Sequence, residues 1–305
     1  MDTNLLIATA DELEEVVAAL NSPLRRRMLN LLFRNELNVN KIAENLSIPQ
    51  STCAVNIGIL EKAGLIQTRK VPAPKGNQKC CVTSFEEVLL MLREYERPDE
   101  SKALRLEMPL GLFFEHQVYP TCGLASLTND IGYSDHPDSF VLPERVHARI
   151  LWFGRGFVEY HFTLTRIQTN IKRMRVSLEL CSEYPSHNTD WPSDITMWMN
   201  GQEIGTWTSP GDMGDVRGKL NPGWWADGRS QYGFFKTWSV SREGSYIDGV
   251  PSSNVTLEAL ELSERSIVKV RIGNRENAEH MGGVTIFGRG FGNYDQNIVL
   301  YIEHD

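Results

Sequence analysis

The stretch VNKIAENLSIPQSTCAVNIGILEKAGLI, Val39 to Ile66, decides the fold of the N-terminal part of this chain. Its first eight residues, Val39 to Leu46, predict a short helix with Ile42, Ala43 and Leu46 turned inward. Ser47, Ile48 and Pro49 make a tight turn, because proline is tolerated in a helix only within its first turn. From Gln50 a second helix runs to Ala63 and stops at Gly64, the residue type most common just past a helix end. Cys53, Ile57 and Leu60 recur at i, i+4 and i+7 and form its buried stripe. Gln50, Ser51, Ala54, Val55 and Gly58 fall on the other faces, with no long charged side chain among them.

Working outward, Leu65–Val71 and Gln78–Val82 predict two strands joined by the turn-forming segment Pro72 to Asn77. Lys62, Arg69, Lys70, Lys75 and Lys79 lie along this hairpin with no acid between them. A helix-turn-helix followed by a basic hairpin is a winged helix. A surface helix of small and neutral polar residues beside a basic wing suits a DNA major groove. The candidate DNA-binding residues are Gln50, Ser51, Thr52, Ala54, Val55 and Asn56 on the helix, and Arg69, Lys75, Asn77 and Lys79 on the wing.

The order and wording QSTCAVNIGILEKAGLI followed by a wing resemble the ArsR-type repressors of bacteria, over about residues 10 to 96. Leu60 and Ala63 to Ile66 carry the most specific part of that likeness. The resemblance implies a homodimer paired through its first and last helices. It also implies repression from a double-stranded DNA operator built as an inverted repeat. Metal ligands frequent in that family are missing: the helix before the turn has no cysteine, and Val55 and Asn56 stand where histidines are common. No metal site and no cofactor are expected, and Val55 is placed to meet a thymine methyl.

Upstream, Leu13, Val16, Val17 and Leu20 mark one face of a helix over Asp11–Leu20, capped by Thr9 or Asp11. Ser22 and Pro23 then cap and open a second helix reaching about Phe33, with Leu24, Met28, Leu31 and Leu32 inward. The run Arg25 to Arg27 reads as a solvated face or a phosphate contact. Downstream, Ser84 to Glu87 is a capping box predicting a final helix, with Phe85, Val88, Leu92 and Tyr95 as its stripe.

A net charge of −8 argues against a globally basic nucleic-acid binder and leaves a local patch open. Residues 1–100 hold 12 Lys+Arg and 14 Asp+Glu, net −2, and those acids cluster outside the recognition stretch. Cysteines 53, 80, 81, 122 and 181 are odd in number and form no CxxC pair, as expected of a reducing compartment. The acidic start MDTNLLIATADELEE lacks the pattern of a signal peptide, and no apolar run approaches a membrane span. A cytoplasmic protein is expected.

Glu96 to Lys102 is polar and proline-containing, and reads as a linker. The domains are therefore 1–96 for the winged helix and its dimer contacts, 97–103 for the linker, and 104–305 for a second domain. In that second domain, short alternating runs such as Leu104–Met108, Arg175–Cys181, Ile195–Met199 and Ile298–Ile302 are separated by Gly, Pro, Asn and Asp turns. They predict an antiparallel β-sandwich of jelly-roll type, making the whole chain an α+β multidomain protein.

All seven tryptophans lie beyond residue 150, several beside Asp or Asn in turn-rich segments. Indole faces and carboxylates interleaved in loops suit a sugar, so Trp191, Asp194, Trp207, Asp212, Trp224, Trp225 and Asp227 are the candidate ligand-binding residues. This region also resembles predicted bacterial transcriptional regulators whose C-terminal halves are similar to galactose-binding-like sandwiches. The expected effector is a small polar molecule of carbohydrate type. An oligomerisation or protein-interaction module is the alternative, with a carbohydrate-active enzyme third. Asp212 with Asp215, or Glu159 with Asp248, are the candidate acid pairs for a glycosidase. GxSxG, HExxH and phosphate-loop motifs are missing, and no catalysis is expected.

Overall fold

In the computed structural model the chain divides into two compact units, Met1–Glu96 and Arg97–Asp305. The structure describes residues 5–8, 10–33, 35–73, 76–83, 85, 87–90, 103–164, 171–262 and 267–304. Among these, no helix is long and apolar enough to cross a membrane.

The N-terminal unit runs β1 (Leu5–Ala8), α1 (Ala10–Leu20), α2 (Pro23–Leu32), β2 (Leu37–Asn38), α3 (Val39–Leu46) and α4 (Gln50–Lys62). The hairpin β3 (Gln67–Ala73) and β4 (Gly76–Val82) follows, then β5 (Glu87–Leu90). Local chemistry sets the helix ends. The Ser22 hydroxyl accepts from Arg25 N at 3.4 Å, and Asn38 Oδ1 accepts from Lys41 N at 2.9 Å. Ser47 closes α3 in the left-handed conformation, and Gly64 at φ +67° turns the chain out of α4. Met28, Leu32, Ile42, Cys53, Ile57 and Leu60 are buried in one core with Cys81. This is the winged helix-turn-helix read from the sequence.

Two expectations are corrected here. Val17 is exposed, and Ala19 faces the core beside the expected Val16. The segment Glu87–Leu90 is not the start of a final helix but a strand paired in parallel with β1, in the register Leu6↔Val88 and Ala8↔Leu90. Those four residues share one face and pack on the helical core. A short apolar run is ambiguous by periodicity, and a free partner strand settles it. Leu92 and Tyr95 lie outside the described residues.

The C-terminal unit is antiparallel. Its strands are β6 (Ala103–Met108), β7 (Glu115–Ala125), β8 (Asp130–Ile131), β9 (Ile150–Thr163), β10 (Ile171–Cys181), β11 (Ser193–Met199) and β12 (Gln202–Ser209). They continue with β13 (Phe234–Ser241), β14 (Ser245–Ile247), β15 (Val250–Ser253), β16 (Ile267–Gly273), β17 (Val284–Phe287) and β18 (Ile298–His304). The order β12-β11-β16-β9-β17-β10-β13-β14-β15 forms the main path, with β7 on the other edge of β9 and β18 and β6 beside β10. The short β17 joins the first half of β9 to the end of β10, so one hydrogen-bonded network surrounds the main core. Alternate residues fill it: Val158, Tyr160 and Phe162 of β9, Val268, Val270 and Ile272 of β16, and Met174, Val176, Leu178 and Leu180 of β10. The longest of these strands, β9, runs unbroken from Ile150 to Thr163.

β10 departs from simple alternation. Its other face carries Arg175, Ser177, Glu179 and Cys181, and these are buried as well. Backbone N–H groups of Gly233, Asn293 and Tyr294 and the Gln296 amide reach down to that face, so loops roof it.

Candidate nucleic-acid interface and the tryptophan-rich loops

Burying Cys53, Ile57 and Leu60 turns the opposite side of α4 outward, where Gln50, Ser51, Thr52, Ala54 and Val55 are all exposed. Val55 is 65% exposed, a large apolar side chain with no core role. Pro49 occupies the cap position and offers no side-chain acceptor, so no side chain caps the N–H groups of the first turn of α4. Such a helix start favours a phosphate oxygen.

Asn56 differs from its neighbours. Its Nδ2 donates to Thr52 O at 2.8 Å, and its Oδ1 accepts from Arg25 Nη1 at 3.1 Å. Both ends of the amide are engaged within the protein. Arg25 also donates from Nε to Ala19 O at 2.6 Å and from Nη2 to Ala18 O at 2.8 Å. The arginine read as solvated or phosphate-facing is therefore a brace between α1 and α4.

The wing's charges are largely answered by acids outside it. Arg69 is held by Glu36 at 2.5 Å, and Lys79 is paired with Glu61, whose other oxygen accepts from Thr68. Lys62 meets Glu15 at 2.6 Å. The hydrogen bond from Lys79 holds the Glu61 carboxyl below its ordinary range, and that from Arg69 does so for Glu36. Lys70 stands opposite Lys79 on the hairpin. Asn77 pairs with Pro72 at the ladder's end, and Lys75 lies outside the described residues.

The tryptophan-rich segments do not converge on one open site. Trp191 is 39% exposed and packs edge-on against Tyr184, while Trp207 of β12 packs on Phe234 under Lys236. Asp194 of β11 accepts from Thr208 Oγ1 at 2.7 Å and from His280 N at 3.1 Å. Trp225 is buried among Trp152, Phe291 and Phe287, and its Nε1 donates to Ser230 O at 2.9 Å. Trp224, 36% exposed, donates from Nε1 to Leu127 O at 2.7 Å. Asp227 is exposed and pairs with Arg217 at 2.6 Å.

Asp212 is fully buried and accepts from Tyr184 N at 3.1 Å and Ser230 Oγ at 3.0 Å. Asp212 and Trp225 thus hold the loops together and present nothing to solvent. Burial pushes the Asp212 carboxyl up to about 7, against the Ser230 and Tyr184 hydrogen bonds that pull it down. Glu179 is likewise raised to about 7 by burial, although the N–H groups of Gly233, Asn293 and Tyr294 bind it. Glu183 is raised too, by burial and by the Asp212 charge. No cluster of three His, Cys, Asp or Glu side chains among the described residues is placed to hold a metal ion.

What sequence reading missed is a groove of about 910 Å³ on the outer face of β7, β9, β16 and β11. Its signal was the i, i+2 series Arg155, Phe157, Glu159 and His161, which places polar and aromatic residues on one outward face.

Residues 22–68 match the family described as bacterial regulatory protein, arsR family. No match was found among curated proteins. Among solved structures, the chain is similar to a possible transcriptional regulatory protein fragment from Mycobacterium bovis, with 25% identity over 25% of this chain and 77% of that one, and a TM-score of 0.23. A solution structure of a homodimeric winged helix-turn-helix domain from the same organism shows 25% identity over 25% of this chain and 67% of that one, with a TM-score of 0.23. The transcriptional repressor BigR from Xylella fastidiosa shows 24% identity over 24% of this chain and 71% of that one, with a TM-score of 0.21.

Proposed function

We propose that this protein, whose residues 22–68 form an ArsR-family helix-turn-helix DNA-binding domain, is a transcriptional repressor governed by its β-rich unit. The observation that carries the reading is the matched motif with its outward helix face of Gln50, Ser51, Thr52, Ala54 and Val55. In the major groove that face reads bases, while the wing lysines and the open N-terminus of α4 meet phosphates. The protein acts as a homodimer on an inverted repeat. Exposed Val17 and a groove lined by Leu20, Leu29, Phe33, Phe85 and Val88 supply apolar surface that a second copy would cover.

The β-rich unit binds a small polar effector of carbohydrate type and does not turn it over. A second reading makes it an interaction module, and the exposed Phe114, Tyr133 and Val141 favour that use, at 72%, 64% and 65% exposure. Selection of duplexes from a random pool by the full-length protein tests the DNA reading. Enrichment of one inverted repeat is the expected result, and recovery of no sequence above background would overturn it. Sedimentation of the full-length protein tests the dimer, and a monomer at micromolar concentration would remove it.

A further inference from the structure

The groove on β7, β9, β16 and β11 is built by strand register. Glu115 lies opposite Glu159, Glu159 opposite Arg271, and Arg271 opposite Trp198, so four side chains cross the sheet in a row. Their neighbours along each strand, Val158, Val270 and Met197 among them, face the core and fix this row outward. Arg271 is fully engaged: Nε donates to Glu159 at 2.9 Å, Nη2 meets Glu115 at 3.4 Å, and the guanidinium lies 3.8 Å over the Phe157 ring.

The other cations are not engaged in this way. Arg155 lies 4.3 Å over the Tyr119 ring, and neither it nor Lys269 has a carboxylate within ion-pair distance among the described residues. Arg275 reaches Glu203 at 3.4 Å through Nη1 but keeps a buried Nε with no partner. Asn274, 8% exposed, donates twice through Nδ2 while its buried Oδ1 accepts from nothing. Trp198 is half-buried and has no ring or cation partner among the described residues. A buried donor or acceptor left without a partner is costly, so these atoms mark where a ligand group restores what the fold leaves open.

We propose that this groove is the effector site and that it takes an anionic carbohydrate, a sugar acid or a sugar phosphate. Lys269, opposite His161 further along β9, donates to a hydroxyl at one end of the groove, and Arg155, beside Asn274 at the other end, holds the carboxylate or phosphate. The planar guanidinium, already oriented by Tyr119, presents paired N–H donors to it. Trp198 takes a face of the sugar ring, and the Asn274–Arg275 end, with one vacant acceptor and one vacant donor, suits a hydroxyl, which does both. The proposal deepens the effector reading above and rests on it. It moves the site from the loops of Trp191 and Trp224 to the face of the sheet.

The test is titration of the full-length protein with glucuronate, galacturonate, glucose 6-phosphate, glucose and inorganic phosphate at constant ionic strength. Calorimetry and tryptophan emission read binding, and operator affinity is measured on the same preparation. At least one anionic sugar should bind, glucose and inorganic phosphate should bind at least about tenfold more weakly, and the preferred sugar reports whether carboxylate or phosphate is the group held. Arg155→Gln and Lys269→Gln should each weaken the preferred sugar about 10–100-fold without lowering the melting temperature, and Trp198→Leu should remove the emission change. Failure of all three anionic sugars to bind, or wild-type affinity in both charge variants, overturns the site. Equal binding of glucose or of inorganic phosphate overturns the ligand class. Binding that leaves operator affinity unchanged overturns the effector role alone. Loss of operator binding by the unliganded protein counts instead against the regulator reading.

Discussion

Arg25 of α2 donates to Asn56 of α4 across 3.1 Å while its other guanidinium nitrogens hold the Ala18 and Ala19 carbonyls at the end of α1. One side chain thus ties the recognition helix to the end of α1. Arg25→Ala should destabilise the N-terminal unit by about 1–3 kcal/mol, the usual range for hydrogen bonds to a charged group in a part-buried site. It should lower operator affinity without changing which bases are preferred. Thermal melting and a comparison of operator variants check this, and a changed base preference would show that Arg25 or Asn56 reads DNA directly.

Gln50 is exposed on the first turn of α4, so Gln50→Ala should relax base preference at one operator position, at about 1–3 kcal/mol. Lys75→Ala should weaken all duplexes alike and flatten the salt dependence by about one unit. An unchanged salt slope in that variant would take Lys75 off the phosphate backbone.

Glu61 holds Lys79, and its neutralisation releases that lysine toward DNA. Glu61→Gln should therefore raise affinity for duplexes in general and steepen the salt slope by about one unit. Anisotropy titrations at several salt concentrations measure both. Weaker binding by this variant would mean that the pair orients Lys79 productively.

Stability should fall as pH rises through neutrality. Glu179 and Asp212 have folded pKa values of about 7, above those of unfolded carboxyls. A raised folded value contributes stability that is complete below the unfolded pKa and is lost as pH rises through the folded one. His116 is lowered by burial and opposes this trend below its ordinary value of about 6.5, so the clean window runs from about pH 6.5 to about pH 8. The two carboxyls together should cost about 1–2 kcal/mol across it, and Asp212→Asn should flatten the slope. At the other extreme Glu107, held down at about 2 chiefly by Arg289, contributes stability lost only as pH falls toward 2. Melting temperatures that climb between about pH 6.5 and about pH 8 would contradict the assignment of Glu179 and Asp212.

The adjacent tryptophans should separate cleanly. Trp225→Ala removes a buried ring from a small core and should cost about 3–5 kcal/mol. Trp224→Ala loses one hydrogen bond and partial burial and should cost about 1–2 kcal/mol. Equal losses in chemical denaturation would mean that both rings share one packing role.

The helix-turn-helix was legible from residue types alone because its information is local. Ser22 and Gly64 set ends within a few residues of themselves, and a period of 3.6 marks the buried stripe of α4 without reference to any other element. The strands of the β-rich unit were legible as elements for the same reason, through their alternation. Their order was not, since pairing partners such as Glu159 and Arg271 lie far apart along the chain. Tertiary structure alone turned Glu87–Leu90 into a strand, by giving it an edge to join. It also buried Asp212 and Trp225 under loops whose composition reads as a binding surface, because turn-rich segments look alike whether they face water or roof a second layer. The groove of Arg155, Trp198 and Lys269 has no motif at all, since its side chains come from three strands and meet only once the sheet is laid out.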